Sequence, residues 1–195
     1  MDNWLTETIN DIVSSIHVLS FRRLIQAVWD EVPDVIKYLQ DEYGINPVII
    51  GGLAVQHWGV VRMTEDLDLL ISKADYDKLQ KDGKIQYGSL KFKPGYQVDI
   101  VYEGRDGNPG PNAVRDGITH FPTLAGLLYL KLIAGRMKDQ SDIVELLKAN
   151  GMPDIDKAVM SCGSLNKAKQ DLFRSLYAMA AEESKKGEKD GDNPL

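Results

Sequence analysis

The stretch Val48 to Ser72, VIIGGLAVQHWGVVRMTEDLDLLIS, decides how the chain is read. Val48 to Ile50 forms a short apolar run that predicts a buried strand. Gly51-Gly52 marks a turn, and a short helix follows to about Gly59. A second strand then carries Asp66 and Asp68 among Leu67, Leu69, Leu70 and Ile71. Its period of two puts both carboxylates on one face, while the leucines take the strand into a core.

A third carboxylate follows the same pattern. Asp99 stands in the strand-like run Gln97 to Tyr102, where Val98 and Ile100 face one side and Asp99 and Val101 the other. If that strand lies beside the Asp66/Asp68 strand, three carboxylates converge on one patch of sheet, within about 5 Å of one another. Their mutual repulsion should then raise at least one pKa. An oxygen-only ligand set without sulfur or imidazole suits Mg²⁺ or Mn²⁺. Such a cluster has the composition of a two-metal site that activates a hydroxyl and neutralises phosphate oxygens. Gly51 and Gly52 allow close backbone approach to a phosphate, and the helix after them starts with free N–H groups.

Gly51-Gly52, then Arg62-x-Thr64-x-Asp66-Leu67-Asp68, then the lone strand residue Asp99, resembles the nucleotidyltransferase superfamily related to DNA polymerase beta. The resemblance is closest to the minimal nucleotidyltransferases and to the nucleotidyltransferase-type toxins of bacterial toxin-antitoxin pairs. It runs from Val48 to about Leu147 and takes in KLIAGRMKDQSD, Lys131 to Asp142. It implies an α+β nucleotidyltransferase fold, a small mixed sheet flanked by helices, with N-terminal helices and a C-terminal helical region. The implied activity is metal-dependent transfer of a nucleoside monophosphate from a nucleoside triphosphate, with ATP preferred, to a hydroxyl on RNA, protein or a small molecule. A catalytically silent protein of the same fold, binding or regulating a partner in a toxin-antitoxin pair, is the alternative.

Carried over residue by residue, the resemblance assigns nucleotide binding to Gly51 and Gly52. It assigns both metals to Asp66 and Asp68, and the catalytic metal and the acceptor hydroxyl to Asp99. Lys131 is implied as a phosphate contact, with Lys138 and Asp142 lining the same cleft. The family motif often has Gly-Ser where this chain has Gly-Gly, so one hydroxyl contact to phosphate is missing. Arg62 and Thr64 fall between helix and strand, near the acidic site. For Arg62 the residues leave three readings open: a triphosphate contact, a fork that orients Asp66, or a solvated loop arginine. Lys131 lies in an apolar stretch, so its ammonium either snorkels to solvent or meets an anion. His57, in the short helix, reads as a packing residue.

Outward from this core, residues 1–45 read as N-terminal helices, with an apolar stripe interrupted at Pro33 and a cap at Asp30 or Glu31. They are expected to cover the sheet or to form a homodimer contact. Residues 46–120 form the core. Within it Lys73 to Gly83 is a charged helix capped by Ser72 with Asp75 as its capping-box partner, and Ala74, Tyr76 and Leu79 turned inward. Ile85 to Phe92 and Tyr96 to Tyr102 read as an antiparallel pair joined at Lys93-Pro94-Gly95. Glu103 to Gly117, rich in glycine and proline, is a loop at the mouth of the site or a linker. Residues 121–182 are helical, opened by Thr123 and interrupted at Gly135, with a last long helix capped by Ser164. Residues 183–195, of mixed charge, read as a disordered tail.

The composition sets limits on function. One cysteine, Cys162, rules out an internal disulfide framework and a cysteine-rich zinc site, and the three histidines are scattered. A net charge of −6 argues against a broad basic face for long nucleic acid while leaving room for a local basic patch. No apolar run approaches membrane-spanning length, and MDNWLTETIND does not have the pattern of a signal peptide. The expected location is the cytoplasm, away from membrane. The expected partners are a nucleoside triphosphate, an acceptor and a helical partner protein or antitoxin.

Overall fold

A computed structural model describes residues 30–93, 97–151 and 154–190. It shows a small α+β domain built on a mixed five-stranded sheet flanked by helices. Residues 1–29, 94–96, 152–153 and 191–195 lie outside the described residues. So do the expectations for the N-terminal stripe before residue 30 and for the Lys93-Pro94-Gly95 turn.

The strands are β1 (Val48–Ile50), β2 (Leu67–Ile71), β3 (Ile85–Gln86), β4 (Ser89–Leu90) and β5 (Val98–Tyr102), in the sheet order β1-β2-β5-β4-β3. Neighbouring strands are antiparallel except β2 and β5, which run parallel with Asp68 opposite Asp99. Alternation then sorts the side chains. Ile49, Leu67, Leu69, Ile71, Val98 and Ile100 enter one core, whereas Val48, Ile50 and Leu70 enter another on the opposite face. Asp68 and Asp99 share this second face, beyond the point where its apolar cover ends.

The first face is closed by α1, helical over 30–43, through Val35, Ile36 and Leu39, and by Leu79 of α3 (Lys73–Lys81). The helix is already under way at residue 30, so Asp30 and Glu31 are helical residues and not caps. Ser72 caps α3 as its sequence indicates: its hydroxyl accepts from the Asp75 N–H and donates to the Asp75 carboxylate. Ala74 is exposed, and only Tyr76 and Leu79 turn inward.

The other face is covered by α4 (Pro111–Val114) and α5 (Leu124–Ala134), with Val114 and Leu130 packed on Val48, Ile50 and Leu70. The approach of α4 to α5 is close enough to require Gly126, where a β-carbon would stand 2.7 Å from the Val114 backbone oxygen. Thr123 caps α5, accepting from the Gly126 N–H at 3.0 Å, and Gly135 ends it at φ +66°. Behind α5 lie α6 (Met137–Asn150), α7 (Ile155–Ser161) and α8 (Lys167–Asp190) around a third core. The short α2 (Gly51–His57) joins the layers, giving Leu53 to the sheet core and Ala54 and Val55 to the helical one.

Three further expectations need correction. Ile85 to Phe92 is not one strand: Tyr87 and Gly88, at φ +54° and +87°, reverse the chain and make β3 and β4 a hairpin of their own. The cap of α8 is Asn166, whose side chain accepts from the Lys169 N–H, and not Ser164. The same helix continues through 183–190, because Glu183 is tied to Lys148 at 2.9 Å and the mixed charges are carried by good helix formers. No helix among the described residues is long and apolar enough to cross a membrane.

Candidate functional site

Asp66 lies one residue ahead of β2, Asp68 inside it and Asp99 inside β5. Each offers a carboxylate oxygen, and the three oxygens lie within 4.8 Å of one another. Parallel pairing sets Asp68 against Asp99, and the period of two along the chain brings Asp66 to the same side. Three like charges this close are costly without a counterion. Burial, and after it the charges of Asp66 and Asp99, push the Asp68 carboxyl up to about 6, although Lys131 and Arg136 pull the other way.

Two neighbours hold the outer carboxylates. Thr64, itself buried, donates to Asp66 Oδ1 at 3.0 Å. Ser89, opposite Asp99 on β4, donates to Asp99 Oδ1 at 2.6 Å. Each bond orients one oxygen and leaves the second free to act as a ligand. Thr64 therefore serves Asp66 directly, and the sequence alone gives no sign of Ser89, because the β3–β4 hairpin that delivers it is hidden within one apparent strand.

The glycine pair is shaped by these residues. Gly51 has φ +67°, and a β-carbon on it would stand 2.6 Å from Asp68 Cγ. A β-carbon on Gly52 would stand 2.5 Å from Thr64 Cβ. Any side chain at either position would displace a carboxylate or the threonine that holds one.

A chain of charges centred on buried Lys131, Asp139 and Asp142 flanks the cluster. Lys131 is buried and donates to Asp142 Oδ2 at 2.6 Å and Asp139 Oδ1 at 3.3 Å. Of the two readings left open for its ammonium, it meets an anion, and that anion is part of the protein. Arg62 pairs with Asp142 at 3.2 Å but without hydrogen-bond alignment, so it neither orients Asp66 nor stands in a solvated loop. Asp142 turns toward Lys131 and Arg62 and away from the exposed Lys138. Arg136 donates through Nε to Asp139 at 2.6 Å. Burial pushes the Asp139 carboxyl up, but the Arg136 hydrogen bond and the Lys131 charge outweigh it and hold the group below the usual carboxylate range.

A cavity of about 510 Å³ opens over Asp68 and Asp99. Gly51 and Ile50 form one side, Lys131, Arg136 and Asp139 another, and Tyr87, Gly88, Arg105 and Asn108 the rim beside β5. The Glu103 to Gly117 segment thus contributes to the mouth of the cavity, folded into a short 3₁₀ turn (Arg105–Gly107) and α4. Gly52, Arg62, Thr64, Asp66, Lys138 and Asp142 do not line it. Arg136, Arg105 and Tyr87 do; Arg136 lies in the family-like stretch from Lys131 to Asp142 and Arg105 in the loop after β5, but neither is singled out there, and nothing in the sequence around Tyr87 points to it. His57 is exposed and stacks on Phe121 with ring centroids 4.0 Å apart, which suits packing.

The chemistry open to this arrangement follows from its donors. Three carboxylate oxygens as a ligand set suit a divalent hard cation, and the raised Asp68 pKa expresses first its burial and then the repulsion from Asp66 and Asp99, both of which such a cation would offset. No protein-family model and no curated protein matches the chain.

Proposed function

We propose that this protein is a metal-dependent nucleotidyltransferase of the nucleotidyltransferase fold, which moves a nucleoside monophosphate from a nucleoside triphosphate to a hydroxyl. The observation that carries this reading is the convergence of Asp66, Asp68 and Asp99 on one end of the sheet through the parallel register of β2 and β5. A cavity of about 510 Å³ over Asp68 and Asp99 is in the range of small-molecule sites. ATP is preferred as donor through the family resemblance, and RNA, protein or a small molecule as acceptor.

Asp66, Asp68 and Asp99 would hold Mg²⁺ or Mn²⁺, whose charge would serve to neutralise phosphate oxygens and to lower the pKa of the attacking hydroxyl. Asp99, one oxygen engaged by Ser89, keeps the other for the acceptor side. The acceptor oxygen would bond to the α-phosphorus as its proton passes to the free carboxylate oxygen of Asp99, and the bond from the α-phosphorus to the bridging β-phosphate oxygen would break to release pyrophosphate. The chain contributes alignment and a fixed charge pattern, with no covalent intermediate. Arg136, bonded to Asp139 and lining the cavity, is the cation best placed to meet phosphate.

A second reading has an observation in its favour. Lys131, the lysine that the resemblance assigns to phosphate, is neutralised by Asp139 and Asp142. That suits a silent protein of the same fold, which keeps the scaffold and binds a helical partner or antitoxin. Titration calorimetry with ATP, CTP, GTP and UTP in Mg²⁺, together with transfer of labelled nucleotide, separates the two. Asp66→Asn and Asp68→Asn should abolish transfer while the protein stays folded. Absence of binding to all four nucleotides would sink the enzyme reading.

A further inference from the structure

The rim of the cavity beside Asp99 has an unusual residue at its corner. Tyr87 and Gly88 form the two-residue turn between β3 and β4 with positive φ at both positions, where Asn and Gly normally stand. A tyrosine β-carbon is strained in that region. Packing does not compensate, because Tyr87 is 97% exposed. The residue nonetheless lines the cavity, two positions before the serine that holds Asp99.

Arg105 reaches the same corner from the segment after β5. Its NH1 lies 3.9 Å from the place a Gly88 β-carbon would occupy, and its Cζ lies 5.9 Å from the Tyr102 ring centroid. Its ion pair with Asp106 is open to solvent and 3.5 Å long. A flat aromatic ring and a flat guanidinium thus line the same cavity as Asp68 and Asp99. That pair of groups stacks on planar heteroaromatic rings and has nothing comparable to offer an aliphatic alcohol.

We propose that Tyr87 and Arg105 form a stacking platform for a nucleobase at the Asp99 end of the cavity. The proposal rests on the nucleotidyl-transfer reading and adds to it the group that the site recognises. The base belongs either to the donor nucleotide or to the terminal nucleotide of an RNA acceptor. Stacking on an aromatic ring accepts every base, so the platform selects for a base without selecting which one.

The test uses the full chain in Mg²⁺ with three probes: inorganic triphosphate, ATP and the trinucleotide ApApA. The central variant is Tyr87→Asn, because asparagine suits positive φ and removes the ring without straining the turn. It should melt no lower than wild type and bind triphosphate unchanged. It should bind one base-bearing probe about 5- to 150-fold more weakly, the factor expected for one base stacked on an aromatic ring. Tyr87→Phe should keep wild-type affinity, and Arg105→Ala should weaken the same probe. Weakened ATP assigns the platform to the donor base, and weakened ApApA alone assigns it to the acceptor. If triphosphate binds but Tyr87→Asn leaves both base-bearing probes at wild-type affinity, the platform is overturned and the nucleotidyl-transfer reading stands. A lower melting temperature for Tyr87→Asn would make the ring structural and overturn the platform likewise. If wild type binds neither triphosphate nor ATP, both readings fall.

Discussion

Gly51 lies against Asp68 so closely that a β-carbon on it would sit 2.6 Å from the carboxylate carbon. The glycine is therefore required by the acidic cluster itself, whatever else enters the cavity. Gly51→Ala should lower stability by roughly 1–3 kcal/mol, because φ is +67° there and the methyl group has to displace Asp68. It should also remove most of the rise in melting temperature that Mg²⁺ or Mn²⁺ produces. Calorimetric melts with and without metal check both; a full metal response in the variant would mean that Asp68 is not held where the cluster needs it.

Asp68 makes the metal-free protein sensitive to pH. Its carboxyl titrates near 6 when folded against 3.8 in the reference state, so the native state binds the extra proton between those values. That contribution to stability is fully present below about pH 3.8 and is lost as pH rises through 6. Asp68→Asn should then be more stable than wild type at pH 7.5 in chelator by about 1–3 kcal/mol, from a shift of about two units. The advantage should shrink toward pH 4. Urea unfolding across pH 4–8 measures it, and a variant less stable than wild type at pH 7.5 would contradict the repulsion.

The same proton competes with the cation. Binding of Mn²⁺ should strengthen as pH rises through about 6, where Asp68 ionises, and level off above pH 7. Calorimetric titration of wild type at four pH values would follow this. Affinity flat from pH 5 to 8 would place the cation away from Asp68.

Ser89 should act through Asp99. Ser89→Ala removes a 2.6 Å hydrogen bond to a charged acceptor and should lower the transfer rate at saturating ATP roughly tenfold with little change in KM. Ser89→Thr keeps a hydroxyl and should recover much of the loss. Equal rates in the alanine variant and wild type would show that Asp99 is oriented without it.

Lys131 offers a sharper contrast. Replacing it by methionine leaves Asp139 and Asp142 without their shared cation in a buried setting, with an expected loss of about 3–5 kcal/mol. Lys131→Met combined with Asp142→Leu should recover part of that loss, since the two changes remove both sides of one pair. Should Lys131→Met instead melt like wild type while losing ATP binding, the lysine serves phosphate and not the scaffold.

Much of the fold was written in local pattern. The alternation around Asp66, Asp68 and Asp99 identified two strands and the face each carboxylate takes, because a strand's period of two depends only on the residues within it. Thr123, Gly135 and Ser72 marked helix ends for the same reason, as caps bond to groups three or four residues away. The joint meaning of the glycine pair and the acidic strand was also legible, since both lie in one stretch of 25 residues from Val48 to Ser72.

What only the tertiary structure decided are pairings between residues far apart in the chain. That β2 and β5 are neighbours and parallel, with Asp68 set against Asp99, depends on a register that no local signal specifies. Lys131 could be seen either to snorkel to solvent or to meet an anion, but that Asp139 and Asp142 supply the anion depends on how α6 follows Gly135. Arg62 went to Asp142, 80 positions away, and Ser89 reached Asp99 only because Tyr87-Gly88 reverses the chain. Each of these depends on packing that closes distant segments on one another, and the partner of a buried charge is chosen by that closure and not by its sequence neighbours.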